Sequence, residues 1–181
     1  MPFFFICNLI TNLRPRLALR YPRLVVLQTM SKAFGLAGVR CGFAIADEAI
    51  INVMNKVKAP YNVNKLTSSV VQQVFGKPAQ DKFANTLQDV LRERARVASA
   101  LQQIKQVKQV HESDTNFLLF EVAGAQRVYK EMAESGVVVR FRGTQPLCTD
   151  CLRVTIGTPG ENDAFLKLLK ATAEQVERDE K

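Results

Sequence analysis

The sequence has no tryptophan, a single histidine and only four cysteines among its 181 residues. Four cysteines in a chain of this length do not form the disulfide framework that holds small secreted proteins together. There is also no apolar run of about 18 residues, the length that a membrane-spanning helix requires. These absences exclude a disulfide-held scaffold and predict no membrane partner. The hydrophobic content of 47% is ordinary for a globular protein with its own core.

Acidic residues are absent from the leading part of the chain, where Asp47 is the first carboxylate. Much of the net charge of +8 comes from that part, which holds the basic residues Arg14, Arg16, Arg20, Arg23, Lys32 and Arg40. A basic surface favours polyanion partners. However, aromatic and basic residues do not interleave, as platforms for stacking bases require. We therefore expect no nucleic-acid partner. The polyanion alternative predicts binding that falls steeply with salt.

The first ten residues, M-P-F-F-F-I-C-N-L-I, contain a short apolar run with no basic residue ahead of it. No small-residue cleavage site follows, so a secretory signal is not expected. The Arg-rich continuation is compatible with a transit peptide but lacks the usual serines. We interpret residues 1–20 as a divergent or unstructured start. A cytoplasmic location is expected, with organellar import left open.

The segment Cys148-Thr-Asp-Cys151 has the spacing of one half of a zinc site. The chain offers no second such pair and only one histidine, His111, beside Glu112. A redox pair would be expected to open a helix. These cysteines instead precede the apolar run 152–156, which predicts a strand. We therefore expect free thiols, no metal site and no catalytic role for His111.

Strand and helix patterns alternate along the chain, which is typical of an α/β fold. The patterns predict strands at 24–30, 41–46, 115–122, 137–142 and 152–157, and helices at 47–57, 65–75, 79–107, 125–135 and 162–178. The first strand is rich in β-branched residues and is predicted to be buried and parallel. The long helix 79–107 is predicted to connect two domains.

The loop after the first strand holds most of the residues whose side chains are suited to catalysis or ligand binding. A lysine at a strand end is well placed for a ligand pocket, and Lys32 would there be held out of water. Desolvation and a neighbouring cation lower a lysine's pKa, so that the neutral amine can attack a carbonyl. Arg40 offers a planar fork for phosphate, and Ser31 and Thr29 offer hydroxyl groups. From these residues alone, a surface turn with solvated charges stays open, because the loop matches no glycine-rich phosphate motif.

A longer stretch, T-M-S-K-A-F-G-L-A-G-V-R-C-G-F at residues 29–43, resembles the lysine motif of fold-type I pyridoxal-phosphate aminotransferases. It is especially similar to histidinol-phosphate aminotransferases. The resemblance continues through A-P-Y-N-V-N, T-N-F-L-L-F, V-V-R-F-R and C-L-R-V-T-I-G-T-P-G-E-N-D, and covers roughly residues 21–178. It implies an α/β chain with part of the large cofactor-binding domain at 21–78, the connecting helix at 79–107 and the small C-terminal domain at 108–181.

The resemblance also implies roles for the residues of the lysine loop. Lys32 would be the catalytic residue that holds pyridoxal phosphate covalently and shuttles a proton. Ser31 and Arg40 would bind the cofactor phosphate, with Thr29 as a weaker candidate. No metal is implied.

Further residues match the substrate and interface positions of the family. Arg153 matches an arginine that binds the substrate anion, and Arg140 matches a second such arginine. Two converging guanidinium groups would suit the phosphate of a histidinol-phosphate-like substrate. Tyr61 and Asn62 match a loop near the active site and the subunit interface, although they could equally serve only to shape a turn.

The reaction implied by the resemblance is transfer of an amino group between histidinol phosphate and 2-oxoglutarate in histidine biosynthesis, by a homodimer. An aromatic amino acid is an alternative donor, since the lysine motif is widely shared. Family members are longer and carry, before the lysine strand, an aspartate in a motif resembling D-E-A-Y that pairs with the pyridine nitrogen. Nothing acidic precedes Asp47 here. We therefore expect the isolated chain to be poorly active, and an inactive fragment or partner subunit is a further alternative.

Overall fold

A computed structural model describes residues 17–18, 20–32 and 34–179. The chain divides into two compact units, Met1–Leu87 and Gln88–Lys181, which we call the lysine unit and the C-terminal unit. The boundary falls inside a long helix, which therefore contributes to both units. Most of the predicted start at 1–20 lies outside the described residues, and the domain limits stay predictions.

The described part of the lysine unit includes two strands, a 3-10 turn and three longer helical segments. In chain order these are β1 (Val26–Thr29), the 3-10 turn (Ala37–Val39), β2 (Gly42–Ile45), α1 (Glu48–Val57), α2 (Lys65–Val74) and the first part of α3 (Lys77–Gln102). A Cβ on Gly42 would lie 2.9 Å from the carbonyl oxygen of Gln28. Glycine is therefore required for the close approach of β2 to β1.

The prediction that the first strand is buried and parallel is wrong for the described residues. Here β1 pairs only with β2, in antiparallel register from Val26↔Ile45 to Thr29↔Gly42. Leu27 points outward and is 56% exposed. Because β-branched residues suit any half-buried pleated surface, their abundance did not distinguish a buried parallel strand from an antiparallel one.

Helices α1 and α2 of the lysine unit begin at side-chain caps. The carboxylate of Asp47 accepts a hydrogen bond of 2.9 Å from the N–H of Ala49 at the start of α1. Similarly, the amide oxygen of Asn64 accepts one of 2.8 Å from the N–H of Thr67 in α2. Each cap accepts a hydrogen bond from a backbone N–H that has no acceptor within its own helix. The predicted beginnings of these two helices are confirmed.

The long helix begins and ends earlier than predicted. It starts at Lys77 and ends at Gln102, not at 79 and 107. Pro78 lies in its first turn, where a missing N–H costs nothing, so this proline is part of the helix that the sequence predicted to begin after it. Among the described residues, neither α3 nor any other helix is long and apolar enough to cross a membrane.

The C-terminal unit is a four-stranded antiparallel sheet with helices. Its further elements are β3 (Val107–Val110), β4 (Phe117–Val122), α4 (Ala125–Glu134), β5 (Arg140–Phe141), β6 (Cys151–Thr155) and α5 (Pro159–Asp179), and the strand order is β3-β4-β6-β5. The sequence did not predict β3, whose two central residues are polar. The strand predicted at 137–142 is reduced to two residues.

One apolar cluster forms the core of this unit. Alternate residues of β4 are fully or nearly fully buried, namely Leu118, Phe120 and Val122. They pack with buried residues from β6 and from all three helices of the unit. The ring of Phe120 meets that of Phe165 in α5 edge to face, with 6.2 Å between the ring centroids. This geometry is favourable for aromatic pairs and ties the sheet to α5.

Replacing Phe120 by alanine should strongly destabilise the C-terminal unit. The change removes a fully buried ring and leaves a cavity, which costs about 3–5 kcal/mol in comparable cores. Urea unfolding followed by circular dichroism measures the loss. Leu147→Ala is the control, because Leu147 is almost fully exposed and its loss should cost within about 0.5 kcal/mol. Equal effects of the two substitutions would contradict this assignment of the core.

Candidate functional site

The loop that contains the predicted lysine is closed by backbone hydrogen bonds. The N–H of Met30 donates to the carbonyl of Cys41 at 3.1 Å, and the N–H of Leu36 donates to the carbonyl of Met30 at 3.0 Å. Inside it, the N–H of Gly35 donates to the carbonyl of Lys32, also at 3.0 Å. Gly35 has a φ of +66°, which favours glycine. The predicted residues 31–40 therefore belong to one closed loop.

Apolar packing anchors the base of this loop. Met30 is 1% exposed, and it clusters with buried Cys41 and Val71 and with the partly buried Phe34. The side chains of Phe34 and Phe83 are stacked, with 4.5 Å between their centroids. Met30 and Phe34 lie two positions before and two positions after Lys32. The loop is therefore held on both sides of Lys32 by the core of the lysine unit.

The expected desolvation of Lys32 is not found. Lys32 is exposed in the described structure, and Ser31 is half-buried. The physical reason is that the loop turns outward after Met30, and that β1 has only one neighbouring strand among the described residues. The amine is therefore accessible to an aldehyde in solution, but the described chain does not hold it out of water.

Arg40 closes the other end of the loop in a left-handed conformation, with a φ of 54°. A non-glycine residue in this region stores strain, which is frequent at functional sites. Its guanidinium Nη1 donates to the carbonyl of Ala37 at 3.0 Å. A guanidinium has five N–H donors, so one such bond leaves most of them available for an anion.

The hydroxyl groups of the loop are placed by the same turn. The backbone N–H of Ser31 donates to Oγ1 of Thr29 at 3.1 Å. Thr29 thus shapes the turn, in keeping with its weaker candidacy for the phosphate. The Thr29 hydroxyl keeps its own proton to donate.

A second group of predicted residues meets on the sheet of the C-terminal unit. Arg140 of β5 and Arg153 of β6 are direct cross-strand partners, so their side chains leave the sheet on the same face. The guanidinium carbon of Arg153 lies 4.8 Å from the centre of the Phe117 ring. The structure thereby brings together two arginines that the sequence separates by a loop, and Phe117 orients one of them.

The electrostatics of this pair favour an anion. Burial lowers the pKa of Arg153, and the positive charges of Arg142 and Arg140 lower it further. Its Nε is buried and has no hydrogen-bond partner within the described part of the chain. A buried donor without a partner and neighbouring like charges are both costly. An anion bound to Arg153 would relieve both costs.

The two arginines line a cavity of about 480 Å³, within the usual range for small-molecule sites. Its remaining wall comes from residues 137–139 just before β5, from the end of β6 and from the start of α5. Thr155, Gly157, Glu161 and Asn162 are among its polar lining residues.

The wall at the start of α5 is held by a capping box. The carboxylate of Glu161 accepts hydrogen bonds of 2.7 Å from the N–H and the hydroxyl of Thr158. These bonds lower the pKa of Glu161. Asn162 adds a second tie, because its side-chain oxygen accepts from the N–H of Gly157 at 2.9 Å and its amide donates to Glu93 at 2.8 Å. The cavity wall is therefore rigidly connected to α3.

Tyr61 and Asn62, the predicted interface residues, lie in the exposed loop between α1 and α2. Tyr61 is 97% exposed and has a φ of 55°. An aromatic side chain held out into solvent on a strained backbone suits a contact surface. Their role as interface residues stays a prediction.

Sequence reasoning missed several residues that shape the cavity. Asn162, which lines the cavity, and Phe117, which packs against the cavity residue Arg153, were not singled out, since an asparagine near a helix start and a phenylalanine in a strand have many uses. The motif Thr158-Pro-Gly-Glu161 did carry a signal, because a threonine followed three residues later by a glutamate is a capping box.

Comparison with known proteins decides the family. The family model "Aminotransferase class I and II" matches residues 8–169. The chain belongs to the class I and II aminotransferases. A histidinol-phosphate aminotransferase of Flavobacterium johnsoniae is 43% identical over 150 residues, which is 83% of this chain and 42% of that protein. One from Parabacteroides distasonis is 45% identical over 83% of this chain and 43% of its own length. This aminotransferase chain thus spans about two fifths of the curated relatives it matches.

Solved structures show the same fold. The histidinol-phosphate aminotransferase of Clostridium acetobutylicum superimposes with a TM-score of 0.82 at 20% identity, over 97% of this chain and 53% of that chain. The L-threonine-O-3-phosphate decarboxylase of Porphyromonas gingivalis gives a TM-score of 0.78 at 26% identity, over 90% of this chain and 50% of that chain. The predicted fold class, part of a fold-type I pyridoxal-phosphate transferase, is confirmed.

Replacing Glu161 by glutamine should make the stability of the folded chain depend less on pH in the acid range. Because the pKa of Glu161 is lowered in the folded chain, its contribution is present above the ordinary value of 4.5 and is lost as pH falls through the lower folded value. Thermal unfolding measured between about pH 3 and pH 7 tests this. The difference in melting temperature between the variant and the unmodified chain should become smaller toward low pH. A difference in melting temperature that becomes larger there would contradict the capping box.

Proposed function

We propose that the protein containing this chain transfers an amino group between histidinol phosphate and 2-oxoglutarate, with pyridoxal phosphate as cofactor. The observation that carries the proposal is the cross-strand pair of Arg140 and Arg153, with a buried Nε that lacks a partner among the described residues. Relatives at 43% and 45% identity are named histidinol-phosphate aminotransferases. The substrate, its acceptor and the part of each residue are carried over from that similarity.

The residues of the lysine loop fit the cofactor by their chemistry. An aldehyde needs a primary amine, and Lys32 offers an accessible one. A phosphate needs charge-assisted donors: Arg40 uses one guanidinium N–H for the carbonyl of Ala37 and has others to offer, and the same closed loop carries the Ser31 hydroxyl. When bound, the cofactor supplies a conjugated ring that takes up the electron pair left at the substrate carbon.

Within this proposal, each residue of the chain has a defined task. The Nζ of Lys32 accepts the proton from the substrate carbon and later returns it. Arg40 and Ser31 hold the phosphate end of the cofactor, and Thr29 maintains the turn that presents Ser31. Because the loop is anchored by Met30, small movements of Lys32 and Arg40 are restricted.

Arg153 and Arg140 would bind the phosphate of the substrate. A guanidinium fork matches phosphate oxygens, and Arg153 already lies partly out of water against Phe117. The names of two similar proteins, histidinol-phosphate aminotransferase and L-threonine-O-3-phosphate decarboxylase, both contain a phosphorylated amino compound. A phosphate ester is therefore the proposed common feature of the substrate, ahead of the alternative of an aromatic amino donor.

A second candidate function is decarboxylation of a phosphorylated amino acid. It is favoured by the 26% identity to the Porphyromonas gingivalis decarboxylase, and it would use the same lysine and phosphate-binding arginines. Incubation with histidinol phosphate and, separately, with L-threonine O-3-phosphate distinguishes the two reactions, because only decarboxylation releases carbon dioxide.

For the assembly of the protein, we propose a homodimer with Tyr61 and Asn62 at the interface.

Lys32 should be the lysine that reacts with pyridoxal phosphate. The expected result is a visible absorption band on mixing and, after borohydride reduction, a stable adduct on the peptide that contains Lys32. Lys32→Ala should lose both. Lys58→Ala is the matched control, because Lys58 is also exposed and lies in the same unit. Peptide mass spectrometry gives the readout, and an adduct spread evenly over several lysines would overturn the assignment.

Arg153→Gln should weaken phosphate binding by roughly ten- to a hundredfold, because hydrogen bonds between charged groups contribute about 1.5–3 kcal/mol. Arg140→Gln should weaken it less, since Arg140 is exposed. Calorimetric titration with inorganic phosphate and with histidinol phosphate measures both effects. Arg92→Gln serves as the control, because Arg92 is exposed and pairs with Asp89 elsewhere in the unit. Unchanged affinity in Arg153→Gln would refute the phosphate site.

A further inference from the structure

Three side chains with metal-binding atoms meet on the sheet of the C-terminal unit, and the aminotransferase reaction uses none of them. They are His111 after β3, Glu121 in β4 and Cys151 in β6. The Nε2 of His111 lies 3.6 Å from Oε1 of Glu121 and 4.0 Å from Sγ of Cys151. All three candidate ligand atoms lie within 4.8 Å of one another.

The register of the sheet places these groups. Glu121 and Cys151 are direct cross-strand partners, so both side chains leave the sheet on one face. The N–H of His111 donates to the carbonyl of Leu119 at 2.9 Å, which extends the β3–β4 ladder and brings the imidazole beside Glu121. Two neighbouring strands and the residue directly after a third thus hold the three ligands, and sites built on strands are more precise than sites on loops.

The loop before β6 brings a second thiol to the cluster. The side chain of Cys148 is hydrogen-bonded to that of Cys151. Leu147 and Asp150, the residues directly before these two cysteines, turn the backbone with φ values of 61° and 55°. The loop is closed where the N–H of Cys151 donates to the carbonyl of Cys148 at 3.0 Å. The half zinc site suggested by the Cys148 and Cys151 spacing therefore meets, in the folded chain, the histidine and carboxylate that the sequence did not place beside it.

The distance between His111 and Glu121 fits a pair of metal ligands better than a direct hydrogen bond. A hydrogen bond between the imidazole and the carboxylate would be about 2.7–3.2 Å long, and the distance of 3.6 Å exceeds this range. Ligand atoms about 2.0–2.3 Å from a tetrahedral zinc ion lie roughly 3.3–3.8 Å apart. The observed 3.6 and 4.0 Å are close to that spacing. Small side-chain adjustments would complete the geometry.

The types of ligand narrow the choice of ion. One nitrogen, one oxygen and one sulfur are a set that zinc accepts, whereas magnesium and calcium prefer oxygen ligands alone. Cys151 is fully buried, while the side chains of His111 and Glu121 are 31% and 30% exposed. An ion can therefore enter from the side of His111 and Glu121 and reach the sulfur beneath them.

We propose that His111, Glu121 and Cys151 form a binding site for zinc or a similar thiophilic divalent cation. Cys148 or a water molecule would provide the fourth ligand. The ion would tie β3, β4 and β6 to one another and would stabilise the C-terminal unit, and with Cys148 as a ligand it would also hold the loop before β6. The site is separate from the arginine cavity, since none of its residues lines that cavity. The proposal does not depend on the proposed reaction.

The test uses the full chain without added cofactor and titrates it with zinc and with cobalt. We expect one ion per chain, a higher melting temperature with zinc, and a thiolate-to-cobalt absorption band in the near ultraviolet. His111→Gln and Glu121→Gln should each weaken zinc binding at least about tenfold. Both residues are partly exposed, so these variants should fold even if Cys151→Ser, at a fully buried position, does not.

Two matched controls separate the site from general metal affinity. Glu112→Gln removes an exposed carboxylate beside His111, and Cys41→Ser removes a buried thiol in the lysine unit. Both should bind zinc as the unmodified chain does. Unchanged zinc affinity in His111→Gln and Glu121→Gln, or a cobalt band that is missing or does not involve sulfur, would overturn the proposal. Cys148→Ser identifies the fourth ligand: a weaker band assigns it to Cys148, an unchanged one to water, and both results retain the three-residue site.

Discussion

The antiparallel ladder between β4 and β6 is the constraint on which the C-terminal unit depends. Its register pairs Phe120 with Leu152 toward the core, and Leu119 with Arg153 toward the opposite face. A slip of one residue would exchange the two faces, burying Glu121 and exposing Phe120. Because the core tolerates only one of these arrangements, hydrophobic packing on one face fixes the positions of the polar groups on the other.

On the polar face of this sheet, the apolar core stabilises the strands that carry the charged side chains. Arg153 lies partly buried against Phe117, beside Arg140, at a cost in desolvation and charge repulsion. That cost is tolerated because the apolar cluster behind β6 stabilises the strand independently. A site that is unfavourable when empty discriminates well, since the correct anion is the group that relieves the cost. The phosphate site proposed here follows from this balance.

The lysine loop could be predicted from the sequence because its information is local. The spacing of Lys32, Gly35 and Arg40 within one short segment is independent of distant strands, and so are the helix caps at Asp47 and Asn64. The exposure of Lys32 and the antiparallel pairing of β1 could not be predicted, since both depend on which other strands lie alongside. The end of α3 was misplaced for a similar reason: the segment after Gln102 is taken into the sheet as β3.

The sequence by itself determined the family, the alternation of strands and helices and the position of the lysine proposed to bind the cofactor, because each of these depends on contiguous residues. Only the tertiary structure decided which side chains meet. Arg140 became the partner of Arg153 through strand pairing. His111 reached Cys151 across 40 residues of chain for the same reason. Hydrogen-bonded register acts between distant segments, and no local pattern of residues encodes it alone.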